Sequence, residues 1–336
     1  MPTAGTGDFM YKIVIDTKGA DKGSATVIKG AKMALDKFEE LEVMLVGDKE
    51  LILTECKALD FPMDRVEILD APQEVTNYDS PVTALFEKPN SSLVKGMAEL
   101  SKREDLVGFI CAGSTGALLA CATRFLAGKE RVRPALAAVL PSISGGFTCV
   151  VDTGATVDCD ANMLLHFAKI GSDFMKKMYG IESPKIGLLS NGAEETKGNK
   201  VVKEAHQLIK NETGLNFIGN IEGSNALSGA CDVLVCDGFA GNQVLKVTEG
   251  TAKRIITDVV KYAKKTGSQE IMGLVGHLMS MYDIGSLGGG NVLGVVKPVV
   301  KAHGSCDEKT IVNTARMVLN MVQNKKVFDE KYATQG

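Results

Sequence analysis

Leu188 to Val201 reads LLSNGAEETKGNKV. An apolar run ends in a polar, glycine-bearing loop, and helix-forming residues follow, with Glu194 and Glu195 near the start of that helix. Val233 to Val247, VLVCDGFAGNQVLKV, repeats the succession of strand, glycine turn and helix. Working outward, further apolar runs with β-branched residues lie at Tyr11 to Asp16, Val43 to Gly47, Leu106 to Cys111, Thr148 to Asp152 and Asn216 to Gly219. They alternate with amphipathic segments of roughly ten residues or more. That alternation predicts an α/β fold, a mostly parallel sheet covered by helices. No apolar run reaches the length that crosses a membrane. The chain has 336 residues, enough to bury a large core. The expectation is one domain over 10–336, preceded by a flexible extension over 1–9 and carrying a helical protrusion around 251–284.

Composition narrows the function. The net charge is only −3, which builds in no general attraction to nucleic acid. The eight cysteines never form a C-x-x-C pair, so neither a zinc site nor a dithiol redox site is expected. Dispersed thiols and no signal peptide imply a reducing compartment, the cytoplasm by default. Glycines follow the expected strands at Gly19, Gly113, Gly116, Gly154, Gly192, Gly198, Gly238 and Gly241. In open α/β sheets such loops build the binding crevice, where backbone amides and helix N-termini receive anions. Any one of these glycines is explained by a tight turn. Their number points to a phosphate-bearing ligand.

Three loops carry candidate chemistry. Lys197 can neutralise phosphate or an oxyanion, or be an ordinary surface charge. Asp237 closes a strand, and Asn242 either caps the next helix or aims its amide at a reacting carbonyl oxygen. His303 follows a strand in VVKAHGSCD (Val299 to Asp307), whereas His166, His206 and His277 fall in helical segments. Cys306 beside it admits a covalent acyl-enzyme, as a minority reading. Asp152-Thr153-Gly154 matches the aspartic-protease triplet only by accident, since that chemistry needs paired aspartates. Neither a G-x-x-x-x-G-K-[ST] loop nor a clean G-x-G-x-x-G follows a strand. A basic amphipathic helix spans Thr251 to Lys265. The stripe Ile271, Leu274, Val275 and Leu278 then fits a core helix, a dimer helix or a membrane-surface helix.

The ordered set of motifs resembles the PlsX family of phosphate acyltransferases. It comprises Asp16 to Asp21 (DTKGAD), Cys111 to Ala117 (CAGSTGA), Arg133 to Pro141 (RPALAAVLP), Asp152 to Asp158 (DTGATVD), Leu215 to Gly223 (LNFIGNIEG) and the three loops above. The resemblance runs from about Tyr11 to Gln323. It implies a homodimeric three-layer α/β/α fold, similar to isocitrate and isopropylmalate dehydrogenases. The implied reaction moves an acyl group from acyl carrier protein to inorganic phosphate, feeding phospholipid synthesis, with no cofactor and no metal.

Carried over by position, Lys197 and Asn242 are the catalytic pair, with His303 assisting. Asp16, Gly113, Ser114, Thr115, Gly116, Gly192, Glu195, Gly198, Asn199, Asp237, Gly238 and Gly241 would line the substrate and phosphate site. Lys253, Arg254 and Lys261 would dock the acidic carrier protein, and Ile271, Leu274, Val275 and Leu278 would touch a membrane peripherally. The family pattern is altered at Thr17, Lys18, Ala20, Cys111, Ser114, Thr156, Ser190, Asn191, Ala193 and the stretch Gly289 to Gly294. Those changes leave open the acyl donor. They also leave a related acetyl-phosphate-forming subunit of an amino-acid reductase, or a non-catalytic scaffold, as alternatives.

Overall fold

The computed structural model describes residues 9–128, 133–282 and 289–323. They group into two compact units, one drawn from 9–134 and 289–323 and the other from 135–282. Residues 1–8 of the expected extension, and the end of the expected protrusion, lie outside the described residues.

Counted along the whole chain, unit 1 contains β1 (Tyr11–Asp16), α1 (Ser24–Lys37), β2 (Leu41–Gly47), α2 (Lys49–Ala58), β3 (Val66–Asp70), α3 (Pro81–Glu87), α4 (Ser92–Lys102), β4 (Leu106–Cys111) and α5 (Thr115–Leu126). After unit 2 it resumes with β10 (Gly290–Leu293), β11 (Val299–Lys301) and α10 (Glu308–Gln323). Its strands run in the order β3-β2-β1-β4-β11-β10, parallel except for β10 against β11. Strand alternation sorts the side chains. Ile13, Ile15 and Ile110 pack with Val27 and Ile28 of α1 and Val318 of α10. Val14 and Phe109 face Gly96 of α4, where a Cβ would stand 3.3 and 2.9 Å from them. With helices on both faces, β1, β2 and β4 are buried on both sides, which is why they are nearly continuous apolar runs, while the edge strand β3 stays half-buried.

Unit 2 contains β5 (Ala135–Pro141), β6 (Phe147–Val151), α6 (Ala161–Tyr179), β7 (Lys185–Ser190), α7 (Lys200–Asn211), β8 (Asn216–Glu222), β9 (Val233–Val235), α8 (Gly238–Thr266) and α9 (Gln269–Tyr282). The strand order is β5-β6-β9-β7-β8. An antiparallel β5–β6 hairpin begins it and parallel pairs continue it. Gly171 of α6 lets that helix approach Val151 and Val233 on one face. Val150 and Leu234 pack with Ala240, Val244 and Leu245 of α8 on the other. Three of the helices that follow strands start on side-chain caps. Asp160, Asn199 and Asp237 accept hydrogen bonds from the amides of Met163, Val202 and Ala240 at 2.8, 2.9 and 2.7 Å. Each such cap contributes about 1 kcal/mol.

The seven runs expected to be strands are strands, β1 and β4 with the expected bounds. Two expectations shift. Helix α7 starts at Lys200, so Glu194, Glu195 and Lys197 lie in the loop before it and not in its first turn. Helix α8 starts at Gly238 on an Asp237 cap, so Asn242 sits in its second turn and caps nothing. Beyond its first turns α8 is largely exposed, and α9 packs against it after Gly267 turns in the left-handed region (φ 68). Among the described residues no helix is long and apolar enough to cross a membrane.

Candidate active site

In unit 2 the carboxyl ends of the neighbouring parallel strands β6, β9 and β7 carry the glycine loops. Asp152, one residue past β6, organises the first of them. Its Oδ1 accepts from the amides of Leu136, Gly154 and Ala155 at 3.0, 3.2 and 3.0 Å, and its Oδ2 from Thr156 at 2.6 Å. Burial raises the Asp152 carboxyl pKa above the usual range, while the amide donors pull it back. The start of α8 is pressed onto this loop. The Gly238 amide donates to the Thr156 carbonyl at 2.7 Å, and a Cβ at 238 would stand 2.8 Å from Asp152 Oδ2. A Cβ at Gly241 would overlap the Asp152 carbonyl oxygen. These glycines are therefore required by close backbone approach. Asn242 follows directly, with its Cβ 4.0 Å from where a Cβ on Gly154 would lie.

The loop after β7 presents Lys197. Its side-chain stem lies over Gly192, where a Cβ would come within 2.6 Å of Lys197 Cγ. Gly198 adopts φ 98 and donates its amide to Asn191 Oδ1 at 2.8 Å. The neighbouring polar groups are already used. Glu195 accepts from Gln207 and from Lys210, the latter at 2.9 Å, which holds its carboxyl below the usual range. Asn199 and Asp237 are spent as caps. In contrast, no hydrogen bond or ion pair within the described residues engages the Lys197 ammonium or the Asn242 amide. Of the unit 2 polar side chains expected at the site, Lys197, exposed, and Asn242, half-buried, are the two whose polar groups are not engaged among the described residues.

In unit 1 the carboxyl ends of β1, β4 and β11 are neighbours. Asp16 is buried there, with Oδ1 accepting the Lys18 amide at 3.0 Å and Oδ2 facing the Cys111 thiol at 3.7 Å. Lys301 is also buried and donates to the carbonyls of Ala112 and Ala302 at 3.0 and 2.5 Å. Gly19 (φ 82) lies flush on the backbone of Gly113. Ser114 precedes α5, and Thr115 and Gly116 open it, with Gly116 against Pro81 of α3. His303 is exposed. Its Nδ1 accepts the Ser305 amide at 3.2 Å and lies 2.8 Å from Ser305 Oγ, so the neutral ring carries its proton on Nε2. Cys306 is buried and burial raises its thiol pKa, which argues against the thiolate nucleophile admitted by the sequence.

Burial pushes the Asp16 pKa up to about 6, against hydrogen bonds from Ser92, Lys18 and Cys111 that lower it. A carboxyl whose folded pKa is raised binds its proton more readily folded than unfolded. Its contribution to stability is greatest in acid and is lost as pH rises from about 4 through about 6. Asp16→Asn is expected to remove that fall, flattening the urea midpoint between pH 4 and 7 as followed by circular dichroism.

On α8, Lys253, Arg254 and Lys261 are exposed, but Arg254 and Lys261 share Asp258 at 2.7 and 4.0 Å. The apolar stripe on α9 is divided. Val275 is buried, Ile271 and Leu278 are half-buried, and Leu274 is exposed beside Met272 and Met279.

Comparison with known proteins shows the family. The sequence model of the family described as fatty acid synthesis protein matches residues 11–328. A phosphate acyltransferase of Caldanaerobacter subterraneus is 40% identical over 320 residues, spanning 93% of this chain and 94% of its own. The chain belongs to this family, PlsX. It is an acyltransferase. A Streptococcus agalactiae family member, also a phosphate acyltransferase, is 37% identical over 326 residues, 95% of this chain and 97% of its own. Among solved structures, a phosphotransacetylase from Streptococcus pyogenes superposes with a TM-score of 0.64 at 16% identity, covering 94% of this chain and 95% of that one. That likeness extends to the fold. Asp152, which the sequence places in the motif DTGATVD but not among the site residues, ties together the loop against which Asn242 lies. The signal in the sequence is an aspartate at a strand end followed by small residues whose amides can turn back onto it.

Proposed function

We propose that this acyltransferase moves an acyl group from an acyl-carrier-protein thioester to inorganic phosphate, releasing acyl phosphate for phospholipid synthesis. The family relatives named phosphate acyltransferase support the acceptor. The observation that carries the site is that Lys197 and Asn242 keep their polar groups unspent beside glycine-lined backbone at neighbouring strand ends.

A phosphate oxygen attacks the thioester carbonyl carbon, the carbonyl oxygen becomes an oxyanion, and collapse expels the thiolate as the C–S bond breaks. Phosphate is already a nucleophile, so catalysis consists of holding it in place and stabilising developing charge. Lys197 offsets the negative charge and Asn242 donates its side-chain N–H to the oxyanion. The loop backbone at Gly192, Gly198, Gly238 and Gly241 permits close approach. His303, and the unit 1 loops at Asp16 and Gly113 to Gly116, are proposed to bind phosphate or ease departure of the thiolate. The test is to incubate the protein with acyl thioesters of short and long chain, with and without phosphate. Release of the carrier thiol and hydroxylamine-reactive acyl phosphate is expected, and thiol release independent of phosphate would sink the proposal. Preference for an acetyl donor would favour the amino-acid reductase reading.

We further propose that 10–336 acts as one acyltransferase domain with a helical protrusion around 251–284, its span supported by the family match over 11–328. We place the enzyme in the cytoplasm as a homodimer that docks carrier protein through Lys253, Arg254 and Lys261 and meets the membrane surface through α9. The exposure of Met272, Leu274 and Met279 supports that contact. Replacing Leu274 and Leu278 by Glu is expected to abolish flotation with anionic liposomes while turnover on a soluble donor stays within about twofold. Undiminished flotation would remove α9 from the contact.

A further inference from the structure

The motif LNFIGNIEG has no chemistry assigned to it, yet its Asn220 reaches the loop that carries Lys197. Asn220 lies in β8 and is 6% exposed. Its Nδ2 donates to the carbonyl oxygen of Glu194 at 2.9 Å, and that same oxygen accepts the backbone amide of Lys197 at 2.9 Å. The other half of the Asn220 amide, Oδ1, lies 2.9 Å from Nδ1 of His206, itself 5% exposed. Because the Glu194 carbonyl can only accept, the amide must present Nδ2 to it, and His206 must then carry its proton on Nδ1. The ring of Phe217 packs edge-on against His206 at 4.9 Å, and Glu195 Oε2 lies 3.8 Å from Nε2, an attractive contact only when that nitrogen is protonated as well. Glu195 is anchored by Gln207 and Lys210.

We propose that Asn220, oriented by His206, is the positioning residue for Lys197. Two buried polar side chains would be an expensive way to fill an edge-strand pocket, since each must have its hydrogen bonds met. Both are met here by a single chain that ends on the turn Glu194 to Lys197. The relay fixes the carbonyl of that turn from the sheet side, so the Lys197 backbone cannot slide as its ammonium follows the charge of the reacting group. A misplacement on the order of 1 Å costs up to about 100-fold in rate.

The inference rests on the role proposed for Lys197, and the experiment separates the two. In the phosphate-dependent assay, at a temperature where circular dichroism shows every variant folded, Asn220→Ala is expected to lower kcat/KM for phosphate about 10- to 100-fold. His206→Leu should fall about tenfold, whereas His206→Gln, which keeps a donor toward Asn220, should stay within about threefold of the parent. The double variant Lys197→Ala, Asn220→Ala should be no slower than Lys197→Ala alone. An Asn220→Ala loss undiminished in the Lys197→Ala background overturns the relay, and equal turnover of Lys197→Ala and parent overturns the role of Lys197 instead. Hydrogen exchange over 190–199 makes the comparison without turnover. Faster exchange there in Asn220→Ala, with β6 and β9 unchanged, is expected, and unchanged exchange over 190–199 overturns the proposal.

Discussion

Lys197→Ala is expected to lower phosphate-dependent turnover about 10²- to 10³-fold, and Asn242→Ala by a similar factor, the range seen when one preorganised donor to a developing oxyanion is removed. The expectation follows from what each side chain does not do. Neither the ammonium of Lys197 nor the amide of Asn242 is engaged within the described residues, so removing them strands no buried partner. Lys197 is exposed and Asn242 only half-buried, which keeps the stability change within about 0.5 kcal/mol for the lysine. Steady-state kinetics beside thermal melts therefore separates catalysis from folding. Lys197→Arg tests the nature of the charge. A planar guanidinium is longer and forked, so partial recovery means that net charge suffices, and none means that the compact ammonium is needed where Gly192 leaves room for its stem. A variant pair that keeps parental rates while melting normally removes both residues from the chemistry.

Much of the parallel framework is legible in the sequence because strands buried on both faces write themselves as apolar runs, as at Tyr11–Asp16 and Leu106–Cys111. The strands at Val66–Asp70 and Gly290–Leu293 are not, since one is short and only half-buried and the other is four residues opening on glycine. Ala135–Pro141 has one β-branched residue and escapes the same search. Lys197 and Asn242 stand out as residue types suited to an oxyanion, but the settings of Asn242 and of the neighbouring Glu194 and Glu195 are misread from sequence. In DGFAGN both Asp237 and Asn242 can cap, and only packing decides. The helix begins at Gly238 because Asp237 caps it through the Ala240 amide, and residue 238 must be glycine because the Asp152 loop occupies the space a Cβ would need. Glu194 and Glu195 are good helix formers, yet Gly198 at φ 98 and the Asn199 cap place the helix start after them. Asn220 and Asp152 act through backbone groups distant in sequence, the Glu194 carbonyl 26 residues away and the Leu136 amide 16 residues away. No local pattern announces such pairings.

The largest expected effect on folding belongs to Asp152. Asp152→Ala leaves the amides of Leu136, Gly154, Ala155 and Thr156 without their acceptor in a buried turn. Each stranded buried donor costs about 1–3 kcal/mol before water re-enters, so a loss of about 3–5 kcal/mol is expected in urea unfolding. Asp152→Asn separates charge from acceptor geometry. Its oxygen can keep the three bonds made by Oδ1, but its NH₂ then faces the Thr156 amide, and the loss should be about 1–2 kcal/mol. Gly241→Ala attacks the same contact from the helix, because its new Cβ would overlap the Asp152 carbonyl oxygen and force α8 away from the loop. That displacement carries Asn242 with it, so turnover should fall in Gly241→Ala even at temperatures where the protein is fully folded. If Asp152→Ala unfolds within about 0.5 kcal/mol of the parent, the amide cluster is not what holds this loop. If instead Asp152→Ala is destabilised and Gly241→Ala keeps full turnover, the loop stabilises the fold without setting the position of Asn242. The shared surface at Gly238, Gly241 and Asp152 makes the opposite outcome the expected one, with stability and turnover falling together because one carboxylate anchors the backbone that carries Asn242, the amide proposed to meet the oxyanion.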